Sequence, residues 1–185
     1  MKHITQSSDG SVIAHFYDGS SASGTHLVGC DGSRSAVRKD LCLRKGGHGA
    51  VWEDGPVHFR FLGSSVVYPS AVGRMMQELD PFQLQGGNPK TNSFLFFAIQ
   101  DTPYNNDRED RDTYACQVII SWPYRSGLLG REVPTETPTS NAERVQLMKE
   151  ISDGWVAPFR DRIQEIPDDH PVQAIRMKDW PPEED

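Results

Sequence analysis

The sequence predicts an α/β chain, an α+β mixture in two parts: a hairpin-plus-helix unit over residues 1–47 and a larger unit over 48–185 built on a mixed or antiparallel sheet. Three observations carry this prediction. A strand–turn–helix junction lies within residues 25–43. Two strongly apolar strand patterns, 93–100 and 114–122, flank a polar stretch at 101–112. Between these regions, Lys45-Gly46-Gly47-His48-Gly49 combines a helix stop with a linker.

In chain order, residues 11–17 alternate as a strand, and Asp18-Gly19 is its hairpin turn. The return strand is expected at 25–30, where Leu27 and Val28 are the apolar positions. A helix from about Ser33 to Leu43 follows, with Ser33 as N-cap and Val37/Leu41 as an apolar i,i+4 pair. A strand over 57–62 leads to a helix over 70–79, stopped by Asp80-Pro81. The glycine pair at 85–89 implies a loop. In 93–100, the run Phe94-Leu95-Phe96-Phe97-Ala98-Ile99 is apolar on both alternating faces, which predicts a central strand covered on both sides. It pairs with 114–122 as an antiparallel hairpin with a long, solvated tip. Beyond a Pro/Thr loop at 134–139, Ser140-Asn141-Ala142-Glu143 forms a capping box. It opens a helix to about Trp155, with Val145, Met148 and Ile151 as its buried stripe. A short helix near 161–165, a strand near 172–177 and an acidic tail complete the chain.

Composition narrows the function classes. A formal net charge of −7, with no Lys/Arg stripe, argues against nucleic acid as a partner. Cys30, Cys42 and Cys116 are odd in number and lack C-x-x-C spacing, so neither a disulfide framework nor a zinc site is expected and a reducing compartment is. The histidines are scattered without an i,i+4 pair, so no metal is expected. The first 20 residues lack a signal-peptide core, and the longest apolar run, 94–99, is too short for a membrane span. A soluble, intracellular, cytoplasmic protein is the expectation. Neither a G-x-S-x-G nucleophile elbow nor a P-loop occurs.

The most informative stretch is Gly29-Cys30-Asp31-Gly32-Ser33-Arg34-Ser35-Ala36-Val37-Arg38, which reads G-x-D-G-x-x-S-x-x-R where strand meets helix. A helix start leaves backbone N–H groups without intrahelical partners, and the peptide dipoles add partial positive charge there, so an anion is a natural occupant. Gly32 permits close backbone approach, and Arg38 adds a cation one turn in, with Arg34 and Lys39 nearby. A phosphate site follows. A turn without a ligand is the competing reading, because Asp-Gly is a common turn dipeptide.

Residues 12–38 resemble the second nucleotide-contacting segment of FAD-dependent monooxygenases of the aromatic hydroxylase (para-hydroxybenzoate hydroxylase-like) family. Residues 94–101, Ser121-Trp122-Pro123-Tyr124 and Asp179-Trp180 resemble the substrate-domain portion of its fungal members. The resemblance implies part of a Rossmann-like FAD-binding domain over 1–47 and a substrate-binding portion over 48–185. It implies FAD as cofactor, NAD(P)H as co-substrate, and O2-dependent hydroxylation of an aromatic or similar small molecule. It assigns Gly29, Asp31, Gly32, Ser35 and Arg38 to cofactor binding: Gly29 as the tight strand end, Asp31 and Gly32 at the approach to the pyrophosphate, Ser35 and Arg38 stabilising its charge or the local turn. No motif marks a catalytic residue, and none is required, because the flavin carries the hard chemistry. Phe94, Phe96 and Phe97 are candidates for an aromatic pocket, and Tyr68, Tyr104, Tyr114 and Tyr124 for orienting a phenolic substrate. The family's G-x-G-x-x-G turn and its later Gly-Asp segment are both missing from the sequence. An internal fragment, inactive alone, is therefore expected; the alternative is a non-catalytic binding or interaction module derived from the same fold. No motif specifies the substrate, NADH against NADPH, or the oligomeric state.

Overall fold

The computed structural model describes residues 1–32, 34–44, 57–105 and 112–177. They fall into two compact units, within residues 1–55 and 56–177 respectively. The fold is mixed α/β with antiparallel sheets. The expected boundary at 47/48, the tip at 106–111 and the tail at 178–185 lie outside the described residues.

In the first unit, β1 (His3–Gln6), β2 (Val12–His15) and β3 (Ser21–Gly24) form an antiparallel meander in that order. Both connections are Asp-Gly turns closed by the aspartate side chain. Asp9 Oδ1 accepts from Ser11 N at 2.9 Å, and Asp18 Oδ1 from Ser20 N at 3.0 Å. The Asp18-Gly19 turn stands where the sequence places it; β1 and its Asp9-Gly10 turn are additions that the same dipeptide announces. The strand expected over 25–30 is not formed. The return strand is Ser21–Gly24, and residues 25–30 run irregularly with Val28 77% exposed. Leu27 and Val28 are apolar enough for a strand, but no described strand supplies a ladder for their backbone groups.

Helix α1 (Ala36–Arg44) starts later than expected. Its cap is Ser35; Ser33 lies outside the described residues. Val37 is buried, but its expected partner Leu41 is 54% exposed, so the apolar i,i+4 pair does not form the packing face. Asp40 and Arg44 face β1 instead. Asp40 Oδ1 accepts from Ile4 N at 3.4 Å, and Arg44 donates to Ile4 O and to Asp40 Oδ2. Two side chains thereby satisfy the outward backbone groups of an edge strand. The core here is thin: Ile4, Ala14 and Val37 are its buried apolar residues.

The second unit is a five-stranded antiparallel sheet, ordered β5-β6-β7-β4-β8, with helices along one face. Its elements are β4 (Phe59–Pro69), α2 (Ser70–Leu79), β5 (Gln83–Asn88), β6 (Ser93–Asp101), β7 (Thr113–Pro123), α3 (Asn141–Ser152), α4 (Phe159–Gln164) and β8 (Gln173–Ile175). The expected helix over 70–79 and the β6/β7 hairpin are formed, and the capping box is complete: Glu143 N donates to Ser140 Oγ, and the Glu143 carboxylate accepts from Ser140 N. Two expectations fail. Residues 83–88 are a strand rather than a loop, because β6 supplies the whole ladder and Trp155 lies against Gly86 in place of a side chain. Strand β6 is also not the central strand; β7 is.

Alternation decides which residues form the core. Leu62, Val66 and Tyr68 (β4), Leu95 and Phe97 (β6) and Tyr114, Cys116, Val118, Ile120 and Trp122 (β7) cluster with Met76, Val145, Met148, Ile151 and Ile163 from the helices. Two of the large polar side chains in this core find backbone acceptors: Tyr68 OH donates to Arg162 O at 2.8 Å and Trp122 Nε1 to Thr135 O at 2.9 Å. Helix α2 lies directly on Tyr114 at Gly73, where a Cβ would meet the ring at 2.1 Å. On the other face, Phe59, Phe61, Phe94, Phe96 and Ile119 alternate outward and stay partly or largely exposed. Among the described residues, no helix is long and apolar enough to cross a membrane.

Candidate functional site

The Asp-Gly segment folds as a closed turn around its own carboxylate. Asp31 Oδ1 accepts from Ser35 Oγ at 2.5 Å, and Oδ2 from Ala36 N at 2.6 Å and Val37 N at 3.4 Å. Ser35 Oγ in turn accepts from Arg38 N at 3.0 Å, as an N-cap does. Lys39 N bonds to Ser35 O, so the first amides of α1 are all matched inside the chain. The Ser35 hydrogen bond foremost, then the amides of Ala36 and Val37, hold the Asp31 carboxyl below the usual aspartate range. The open anion site expected at this helix start is thus filled by Asp31 itself.

The glycines serve two different purposes. A Cβ at Gly29 would fall 2.8 Å from Val37 Cβ, so Gly29 lets the incoming chain lie against the first turn of α1. Gly32 has φ +75°, a left-handed conformation that non-glycine residues rarely adopt, and a Cβ there would point into open space. Arg34 and Lys39 are exposed, and Arg38 is half-buried. All five residues expected to bind cofactor therefore meet in one turn. The amides of residues 36–38 are taken within the chain, whereas the backbone at Gly32 is open and the side chains of Arg34 and Lys39 are exposed.

In the second unit the sheet separates the aromatic candidates. Phe97 is 2% exposed on the core face, so it lines no pocket, whereas Phe94 and Phe96 stand on the open face. Tyr68 and Tyr114 are also core residues, the latter donating to Gln77 Oε1 at 3.0 Å. Tyr104 is 82% exposed. Tyr124 stacks under the Arg60 guanidinium at 3.8 Å, and its hydroxyl bond to Glu136 pushes the phenol's pKa up. Glu136 also bonds Arg60 Nε at 3.1 Å, which ties the 131–139 segment to β4. Burial pushes the Cys116 thiol up to about 12, so that cysteine is a core residue rather than a nucleophile. Among the described residues, no group of three or more His, Cys, Asp or Glu could hold a metal ion.

Of the three phenylalanines expected at an aromatic pocket, Phe94 borders a hollow on the open face. It is shallow, of about 380 Å³, and is lined by Phe59, Gly87, Asn88, Pro89, Asn92, Ser93, Phe94, Ser121 and Pro123. Its residues come from both ends of the β5–β6 turn and from the paired ends of β4 and β7, so spacing along the chain could not reveal it.

No family model matches the chain. Curated relatives do. It is 46% identical over 179 residues to a "Probable FAD-dependent monooxygenase" of Arthroderma benhamiae, covering 96% of this chain and 41% of that protein. It is 32% identical over 183 residues to the FAD-dependent monooxygenase tazP of Aspergillus terreus, covering 98% of this chain and 43% of tazP. Against the FAD-dependent monooxygenase dbaB of Emericella nidulans the identity is 29%, over 97% of this chain and 44% of dbaB. The chain therefore spans about two fifths of the length of the curated relatives it matches. Its fold is similar to a crystal structure from Photorhabdus luminescens subsp. laumondii TTO1, provisionally named an FAD containing monooxygenase. The TM-score is 0.55 at 19% identity, over 96% of this chain and 46% of that one.

Proposed function

We propose that this chain, a relative of FAD-dependent monooxygenases along nearly its whole length, is the part of such an enzyme that approaches the FAD pyrophosphate with its first unit and the substrate with its second. The observation that carries this reading is the 46% identity over 96% of the chain to a protein so named. The division is a cofactor-side unit over 1–47 and a substrate-side unit over 48–185. NAD(P)H is the co-substrate, an aromatic or similar small molecule the substrate, and the cytoplasm the location.

The chemistry of the turn supports a particular allocation of roles. FAD, when bound, supplies the redox chemistry of oxygen transfer. Asp31 and Ser35 hold the turn and the start of α1 and do not touch the phosphates. Gly29 fixes how closely the chain passes α1. Gly32 presents open backbone to one edge of the pyrophosphate, and Arg34 and Arg38 offset its charge. Because Asp31 is bonded by a hydroxyl and two amides, its own charge repels an incoming phosphate less than a bare carboxylate would. An edge contact of this kind gives weak binding by itself. In the second unit, Phe94 and Phe96 belong to the substrate side, and Phe97, Tyr68 and Tyr114 support it from the core.

The test is a titration of FAD fluorescence with this chain, with Arg38→Ala and Arg34→Ala as variants and Val67→Ser, on the second unit, as control. Weak, saturable quenching that falls at least about tenfold in Arg38→Ala and is unchanged in Val67→Ser is expected, since one charge-assisted contact is worth roughly 1.5–3 kcal/mol. A folded chain that quenches nothing, or quenches equally in all variants, contradicts the assignment.

A further inference from the structure

The outward face of the first unit's meander carries two imidazoles side by side, and we infer that His3 and His15 form a binding site for a divalent transition-metal ion of the zinc class. The inference is independent of the flavoprotein reading, because it uses neither the Asp-Gly turn at Asp31 nor the second unit. It comes from strand register, which brings together two histidines that lie far apart in the sequence. Helical i,i+4 spacing does not describe such a pair.

His3 of β1 lies directly opposite His15 of β2. The next pair along, Ile4 and Ala14, is buried, so alternation puts both imidazoles on the other, outward face. Directly opposed residues have Cβ atoms about 4.5–5.5 Å apart, close enough for two side chains to hold one ion. The rings stack with centroids 4.4 Å apart and planes 15° from parallel. His3 is exposed and His15 half-buried, so the pair is open to solvent. A zinc ion sits about 2.0–2.1 Å from each ligating imidazole nitrogen. Turning the two rings about their Cβ–Cγ bonds makes their in-plane lone pairs converge on such a point, in exchange for the stacking contact.

A third residue orients the pair. His15 Nε2 lies 2.9 Å from Thr5 Oγ1, and Thr5 stands on the same face of β1 as His3. With that nitrogen as donor, Nδ1 of His15 carries the lone pair. A hydrogen bond on one nitrogen then fixes the imidazole that ligates through the other. Imidazole suits zinc, copper and nickel, whereas magnesium and calcium take oxygen ligands. Two imidazoles leave the remaining positions to water, so the ion is exchangeable. A chain of net charge −7 presents no general repulsion to a cation. Binding across β1 and β2 also clips together a unit whose apolar core is thin, since a ligand held only by the folded state stabilises it.

The experiment titrates Zn²⁺ into the flavin-free chain, prepared without an oligohistidine tag and kept reduced, and follows the ring-nitrogen shifts of each histidine by NMR. Zinc is the probe because copper and nickel are also taken by amines and deprotonated peptide nitrogens. Expected are saturable shifts centred on His3 and His15. His3→Gln and His15→Gln each weaken binding at least about tenfold, Thr5→Val about two- to fivefold, and His26→Gln, at an exposed histidine of the same unit, less than about twofold. Saturating zinc raises the urea midpoint of the first unit in the parent chain and leaves it unmoved in His15→Gln. Amide shifts of Ile4 and Ala14 confirm that the meander persists in each variant, and His3→Gln, at an exposed strand end, serves alone if His15→Gln does not fold. Ring shifts that never saturate, affinity indifferent to His3→Gln and His15→Gln, or an equal loss in His26→Gln overturn the inference and leave the two rings a cross-strand packing pair. Since no flavin is present and no variant touches residues 29–38, this result and the FAD titration stand or fall separately.

Discussion

The two units are built by different means. Among its described residues the first buries the apolar side chains of Ile4, Ala14 and Val37 and depends on carboxylates: Asp9 and Asp18 close its turns, Asp31 accepts from the first amides of its helix, and Asp40 with Arg44 seals its edge strand. The second packs Trp122, Tyr114, Phe97, Leu62 and Met76 under its helices, each less than 2% or, for Phe97, 2% exposed. A dense apolar core tolerates loss of surface polar contacts; a thin one does not. The Asp-Gly turn sits on the weakly cored unit, and its polar bonds fold both the turn and the start of α1.

Removing core volume should separate the units most sharply. Trp122→Ala is expected to cost about 3–5 kcal/mol and to unfold the second unit at markedly lower denaturant, since it removes a fully buried side chain near the end of β7 and leaves Thr135 O without its donor. Val37→Ala should cost only about 1–2 kcal/mol and shift the first unit alone, which amide shifts of each unit during a urea series would report. Equal losses would mean that the units share one core.

Caps give the next largest contrast. Ser35→Ala and Ser140→Ala each remove an N-cap hydroxyl, worth about 1 kcal/mol. In α3 the loss should fray the first turn only, because Val145, Met148 and Ile151 anchor the helix. In α1 the same loss should release the whole helix, measured as amide exchange over residues 36–44. Fraying confined to residues 36–38 would show that α1 has more support than its packing implies.

Acid is the mildest probe. The Asp31 carboxyl is held below the usual range, so its contribution is complete above the unfolded value of about 4 and disappears as pH falls through the lower folded value. The shifts of Ala36 and Val37 should therefore move only below about pH 4, ahead of those of Ile120, although the Glu143 and Asp80 carboxyls on the second unit are lowered in the same direction. Simultaneous loss would remove the distinction.

How much of this was legible follows from where each signal resides. The α2 helix, the capping box of α3 and the β6/β7 hairpin are local patterns, and periodicity and cap chemistry were enough. Strand β5 was not legible, because its glycines suit a loop and only β6 and Trp155 make it a strand. Residues 25–30 failed in the opposite sense, apolar but without a ladder. The motif residues Gly29, Asp31, Gly32, Ser35 and Arg38 do converge, yet which of them face outward depends on where the carboxylate of Asp31 turns. The hollow between Phe59 and Phe94 depends on register across β4, β7 and β6, which no single stretch of sequence records.

The carboxylate of Asp31, rather than an external phosphate, meets the first amides of α1. Hydrogen exchange of the amides of Ala36, Val37 and Arg38, with and without saturating FAD and in Asp31→Asn, tests it directly. Protection of all three in the flavin-free chain, loss of protection at Ala36 and Val37 in Asp31→Asn, and an FAD-induced change centred on Gly32 are the results expected. Amides that exchange freely in the flavin-free chain and become protected when FAD binds would show an open anion site there and contradict the account.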